Sequence, residues 1–209
     1  MNIGIDFDNT ISWYDTSFRE VAMDEGIIDE NWDGKGKTEL RDHLRCQPNG
    51  EKTWMKLQGL VYGKHMQGAE MMQEVANFFL SCNVRGHKIF IVSHKTEYGH
   101  FDEKKVALRT EAMKWMEEKS LFDESISPLN KNNVFFYNTR EEKVKKISAL
   151  KCTHFVDDLA EVFKEPHFPK KTKRILLDTS EKEKVNKFSV FNNWMDISNA
   201  LLGKQNLSQ

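Results

Sequence analysis

Apolar and polar positions follow two alternating rhythms along this chain. Short apolar runs bounded by polar residues predict strands near residues 2–5, 88–93, 134–137, 153–156 and 174–178, with a shorter one at 188–191. Between them the apolar positions return at helical spacing. Such stretches cover about residues 17–25, 54–62, 103–119, 141–150 and 194–202. A further helical face is expected from Met71, Val75, Phe78 and Phe79, followed by Gly86 and the strand at 88–93. Strand and helix in alternation predict an α/β fold: a doubly wound parallel sheet with right-handed crossovers.

Residues 14–67 depart from this grammar. They carry Trp32, Trp54 and a Pro48-Asn49-Gly50 turn but no good strand, which predicts a small α-helical insertion. The expected organisation is an α/β core from 1–13 and 68–203, a helical insertion at 14–67, and a tail at 204–209.

Composition narrows the function classes. The 209 residues suit one domain with an insertion. Lys and Arg total 31 against 32 Asp and Glu, which argues against bulk nucleic-acid or membrane-surface binding. No apolar run approaches the length of about 18 residues that a membrane span needs. The three cysteines, Cys46, Cys82 and Cys152, have no metal spacing or disulfide framework, and the chain opens on a strand-like segment without a signal peptide. Together these point to a reducing, cytoplasmic setting. The Gly34-Lys-Gly-Lys-Thr38 run looks like a phosphate loop, but the required earlier glycine would fall at Asn31 and no strand precedes it, so it reads as a solvated loop.

The chemistry lies where strands end. The first strand runs into Asp6, Asp8, Asn9 and Thr10; the second ends in Ser93 and His94; Lys143 opens the helix after the third; the fourth ends in Asp157 and Asp158. In an open α/β sheet the carboxyl edge of the strands is where ligands bind. Paired carboxylates suit Mg²⁺, a hard cation that takes oxygen ligands. A hydroxyl and an ammonium suit phosphate oxygens. A carboxylate can also attack phosphorus.

The ordered set Asp6-Phe-Asp8-Asn-Thr10, Ile89-Phe-Ile-Val-Ser93, Lys143 and His154-Phe-Val-Asp157-Asp158, with Glu161 following, resembles the motifs of the haloacid dehalogenase-like (HAD) superfamily. The resemblance spans residues 6–161. It implies a Mg²⁺-dependent phosphatase in which Asp6 is the nucleophile that forms an aspartyl-phosphate. Asp8 would be the general acid and base. Thr10, Ser93, His94 and Lys143 would bind the phosphoryl group. Asp6, the backbone carbonyl of Asp8, and Asp157 or Asp158 would hold the metal. Asp8 favours phosphoryl transfer over carbon–halogen cleavage, since dehalogenating relatives need only the nucleophile.

The resemblance also makes 14–67 a cap that closes over the site, with Trp13, Tyr14, Trp32, Arg45, Trp54, Lys64 and His65 either facing substrate or packing the cap. Phosphonate hydrolysis would need a cap lysine, for which Lys35, Lys37, Lys52, Lys56 and Lys64 are available. The implied substrate is a small phosphorylated metabolite, a sugar phosphate or nucleotide, acted on by a monomer or homodimer. Phosphotransfer to another acceptor, or ligand binding without turnover, are the alternatives. Lys145 and Lys146 compete with Lys143 for the phosphate, and either acid of the 157–158 pair could be the direct ligand.

Overall fold

The structure is a computed structural model that describes residues 1–179 and 188–203. The tail expected over 204–209 lies outside the described residues. Two compact units divide the chain: residues 1–12, 71–94 and the described residues from 117 onward form one, and 13–70 with 95–116 form the other.

The first unit is built on a six-stranded parallel sheet. Its strands are Asn2–Ile5 (β1), Lys88–His94 (β4), Val134–Tyr137 (β5), His154–Asp157 (β6), Lys173–Leu177 (β7) and Ser189–Phe191 (β8), in the spatial order β5-β4-β1-β6-β7-β8. From β1 the chain winds out to β4 and β5 on one side, then to β6, β7 and β8 on the other. The sheet is therefore doubly wound, with its switch of direction at β1, as the alternation of strands and helices predicts. Two short strands, Ser12–Trp13 (β2) and Glu70–Met71 (β3), pair separately where the chain passes between the units.

Side chains alternate across this sheet. Phe90, Val92 and Phe155 pack with Val144 and Ile147 of helix Arg140–Ala149 (α6) and with Val162 and Phe163 of helix Ala160–Lys164 (α7). Ile89 and Ile91 alternate with Phe90 and Val92 and are fully buried. Helices Val75–Val84 (α4) and Trp194–Leu202 (α8) pack on one another, with the rings of Phe78 and Trp194 5.0 Å apart. Met71 is not part of the helix it was expected to open: it lies in β3, and α4 begins at Val75 behind Glu74, whose φ of 68° breaks any helix upstream.

The second unit is mainly helical: Asp15–Asp24 (α1), Lys37–Arg45 (α2), Gly50–Tyr62 (α3) and most of Leu108–Glu118 (α5). Phe18 stacks on Trp54 at 5.0 Å, Tyr14 and Tyr62 meet edge to face at 4.9 Å, and Leu40, Leu44, Leu57 and Val61 are buried around them. Tyr14 and Trp54 are thus core residues of this unit. Arg45 is exposed and paired with Glu51, Trp32 tilts against His43, and Lys64 is exposed.

Two expectations need correction in this unit. The Gly34–Thr38 run is not simply a solvated loop. Gly34 is buried so closely against Trp32 that a Cβ would sit 2.0 Å from its ring, and α2 starts at Lys37. The Lys37 ammonium lies over the rings of Tyr14, Phe18 and Tyr62 at 5.3–5.9 Å. The helix expected over 103–119 starts only at Leu108. Upstream, Asp102 accepts from the backbone of Lys104 and Val106, and Phe101 and Lys105 have positive φ, so the chain turns rather than coils. Residues 95–116 group with 13–70 in this unit: Gly99 approaches Gly59 of α3 so closely that a Cβ on Gly99 would lie 2.6 Å from the Gly59 Cα, and Val106 and Leu108 flank Gly63.

Candidate active site

Register brings the strand ends together. Ile5 of β1 pairs with Val156 of β6, and the Asp6 amide continues the ladder to the Val156 carbonyl at 2.9 Å. Asp6 is therefore level with Asp157, the last residue of β6. On the other side Ile5 pairs with Ile91, so β4 runs on past the end of β1 and brings Ser93 to the same edge.

Helix α6 supplies the cation. A capping box fixes its start: Thr139 Oγ1 accepts from the Glu142 amide at 3.2 Å, and the Thr139 amide donates to Glu142 Oε2 at 3.1 Å. Lys143 follows immediately, and its side chain is only 2% exposed. Its Nζ donates to Asp6 Oδ1 at 2.6 Å and to Asp157 Oδ2 at 2.6 Å. Lys145 instead pairs with Glu141 in solvent, and Lys146 lies over the Phe135 ring. Of the three lysines, Lys143 is the one whose ammonium reaches the strand ends.

The loop after β1 is a tight turn. The amides of Thr10, Ile11 and Ser12 and the Ser12 hydroxyl all donate to the Phe7 carbonyl. Within it Asn9 adopts a left-handed φ of 55°, which asparagine tolerates better than most residues. Its Nδ2 reaches Asp158 Oδ2 at 3.5 Å, and Thr10 Oγ1 donates to Asp158 Oδ1 at 3.4 Å. Asp157 Oδ1 accepts from the Leu159 amide at 3.0 Å. Asp8 is half-buried in the same turn.

Burial dominates the electrostatics. It pushes the Asp6 carboxyl up to about 7 against the pull of the Lys143 ammonium, and the carboxylates of Asp157 and Asp8 push the same way. Burial also works against charge on Lys143, but Asp157 and Asp6 outweigh it and hold its pKa above the ordinary lysine value. The site thus gathers more negative charge than one ammonium offsets. A carboxylate oxygen from each of Asp6, Asp157 and Asp158 lies within 4.8 Å of the others. An all-oxygen, anion-rich cluster of this kind could hold a hard divalent cation such as Mg²⁺.

A pH dependence follows for the metal-free protein. A carboxyl raised from 3.8 to about 7 contributes stability that is full below 3.8 and is lost as pH rises through about 7. In EDTA, the melting temperature of wild type minus that of Asp6→Asn should fall between about pH 4 and about pH 7 and level off above. A difference that stays flat over that window would remove this view of Asp6.

Of the remaining expected site residues, Ser93 is buried, and its Oγ has no hydrogen-bond partner among the described residues. His94 points elsewhere. It is exposed, and its Nε2 lies 2.8 Å from the Asn138 carbonyl oxygen. Alternation along β4 puts consecutive side chains on opposite faces, so Ser93 and His94 do not share one. Two contributors were not among the expected site residues. Asn9 stands out only as a residue able to take positive φ, and Trp194, whose indole donates to the Thr10 carbonyl at 2.7 Å, is 184 positions away.

No protein-family model matches the sequence, and no curated protein matches it. Solved structures do share the fold. A HAD-superfamily hydrolase from Ehrlichia chaffeensis aligns with a TM-score of 0.53 at 13% identity, covering 95% of this chain and 94% of that one. A subfamily IA HAD hydrolase from Geobacter sulfurreducens aligns with a TM-score of 0.56 at 12% identity, covering 96% and 95%. The HAD-hydrolase YfnB from Bacillus subtilis, a structure bound to magnesium, aligns with a TM-score of 0.60 at 9% identity, covering 96% and 98%. The chain has a HAD-like fold.

Proposed function

We propose that this protein is a Mg²⁺-dependent phosphatase that hydrolyses a small phosphorylated metabolite, a sugar phosphate or nucleotide, through an aspartyl-phosphate. The observation that carries this reading is the buried Asp6–Lys143–Asp157 cluster beside Asp158, at the carboxyl edge of a HAD-like sheet.

An Asp6 carboxylate oxygen attacks phosphorus, and the bond from phosphorus to the leaving oxygen breaks. Asp8 gives its proton to that oxygen. Asp8 then takes a proton from water, whose oxygen attacks the aspartyl-phosphate and frees Asp6 and inorganic phosphate. General acid–base help of this kind is worth roughly 10²–10⁴ in rate. Lys143 aims the nucleophile and offers charge to the phosphoryl oxygens. The buried Ser93 hydroxyl, which has no partner among the described residues, is suited to donate to one of them. Mg²⁺ bound by Asp6, Asp157 or Asp158 and the Asp8 carbonyl would supply further positive charge to the phosphoryl group. Thr10, through Asp158, steadies that cluster. The second unit is proposed as a substrate-selecting cap. A cytoplasmic site of action fits the three free cysteines. No described helix is long and apolar enough to cross a membrane.

Purified protein with Mg²⁺ is expected to release phosphate from p-nitrophenyl phosphate and from members of a sugar-phosphate and nucleotide panel, and EDTA should abolish release. Silence across the whole panel with Mg²⁺ present would defeat the proposal.

A further inference from the structure

We infer that Trp194 is a positioning residue for the candidate metal site, so that helix α8 holds the loop after β1 in its working shape. This rests on the reading of Asp158 as a metal-binding residue. The chain of contacts is short. Trp194 opens α8 and is 2% exposed. Its ring packs against Phe78 of α4, which directs the indole inward. Its Nε1 donates to the Thr10 carbonyl at 2.7 Å. Thr10 is fully buried, and its Oγ1 donates to Asp158 Oδ1 at 3.4 Å. Its amide donates to Phe7, one residue past Asp6.

Thr10 is thus tied by its carbonyl to α8, by its hydroxyl to Asp158 just after β6, and by its amide back into its own turn at Phe7. Each tie restrains one end of a turn that begins at Asp6 and carries Asp8. The start of α8 is itself fixed, since Asn193 caps it by accepting from the Asp196 amide at 2.8 Å. An indole has a single donor and no acceptor, so the Trp194 bond to Thr10 cannot be exchanged for another role of the same ring. A phenylalanine keeps most of the ring and removes only that donor. The Thr10 carbonyl would then be buried with one partner fewer, and the turn would relax toward whatever donor it could find.

Partners one step beyond a metal's ligands, the place Thr10 holds beside Asp158, typically change metal affinity or activity by 10–100-fold when lost, and Trp194 stands one step further out, so the low end of that range applies. Trp194→Phe is accordingly expected to weaken Mg²⁺ binding, measured by calorimetry on the metal-free chain, by roughly tenfold. On p-nitrophenyl phosphate kcat should fall while KM holds. Phe78→Leu, which loosens the same ring but leaves the donor, should keep Mg²⁺ affinity near wild type. A second readout needs no variant to fold well. In ¹⁵N-tryptophan-labelled wild type, the Trp194 indole resonance should shift on Mg²⁺ titration with the calorimetric midpoint. Wild-type affinity in Trp194→Phe, equal losses in Phe78→Leu, or an unmoved indole resonance would each overturn the inference. Wild-type protein that binds no Mg²⁺ at all would instead defeat the metal reading on which it stands.

Discussion

Asp6→Asn is expected to lower phosphate release by at least about 10⁴-fold, in line with losses seen when a covalent nucleophile is removed. The substitution preserves shape and volume but leaves no carboxylate to attack phosphorus. Folding should not suffer in the same measure. Burial, the largest influence on Asp6, opposes its charge, so the neutral amide removes an unfavourable ionisation from the interior. Loss of activity with unchanged or raised metal-free stability at alkaline pH is the signature to look for. Near-wild-type turnover in Asp6→Asn, measured with saturating Mg²⁺ and free of contaminating phosphatase, would rule out the nucleophile assignment.

Lys143→Met should have the largest effect on stability. The ammonium is buried between two buried carboxylates at 2.6 Å each. Removing it leaves Asp6 and Asp157 facing one another with no cation between them. Breaking a buried ion pair from one side costs roughly 3–5 kcal/mol, most of it the uncompensated charge left behind. Urea unfolding in EDTA should show a loss of this order. Adding Asp6→Asn to the same chain should recover much of it, because one of the stranded charges disappears. Mg²⁺ should recover part by a different route, replacing the missing positive charge. A loss below about 1 kcal/mol, the scale of an exposed pair, would mean the ammonium is not the keystone of this cluster.

The fold was legible because its main strands are short, apolar and abruptly terminated. Lys88–Ser93 alternates buried residues over both faces and then stops in a hydroxyl, and Asp6 and Asp157 sit at the ends of two such runs. Chemistry at strand ends is a local signal. What was not legible depended on distance or on a scarcity of apolar residues. Helix α2 buries only Leu40 and Leu44 among seven polar or charged neighbours, so its sequence resembles a loop. Choosing Lys143 over Lys145 and Lys146 needed the orientation of α6, which a capping box sets but which spacing alone leaves open. His94 adjoins Ser93 in sequence, yet the pleat of β4 turns it away to a backbone carbonyl. The tie from Trp194 to Thr10 spans nearly the whole chain, and nothing near either residue announces it.

The division of the chain has a practical consequence for domain exchange. The polypeptide passes into the second unit after residue 12, returns at 71, enters again at 95 and returns at 117. Grafting that unit from another protein therefore requires two coordinated replacements with four junctions, not one cassette. Excising 14–67 alone would leave Gly99, Val106 and Leu108 without the α3 surface they pack against. Such a deletion should yield insoluble or partly unfolded chains, whereas removing both segments together spares the parallel sheet an orphaned apolar loop.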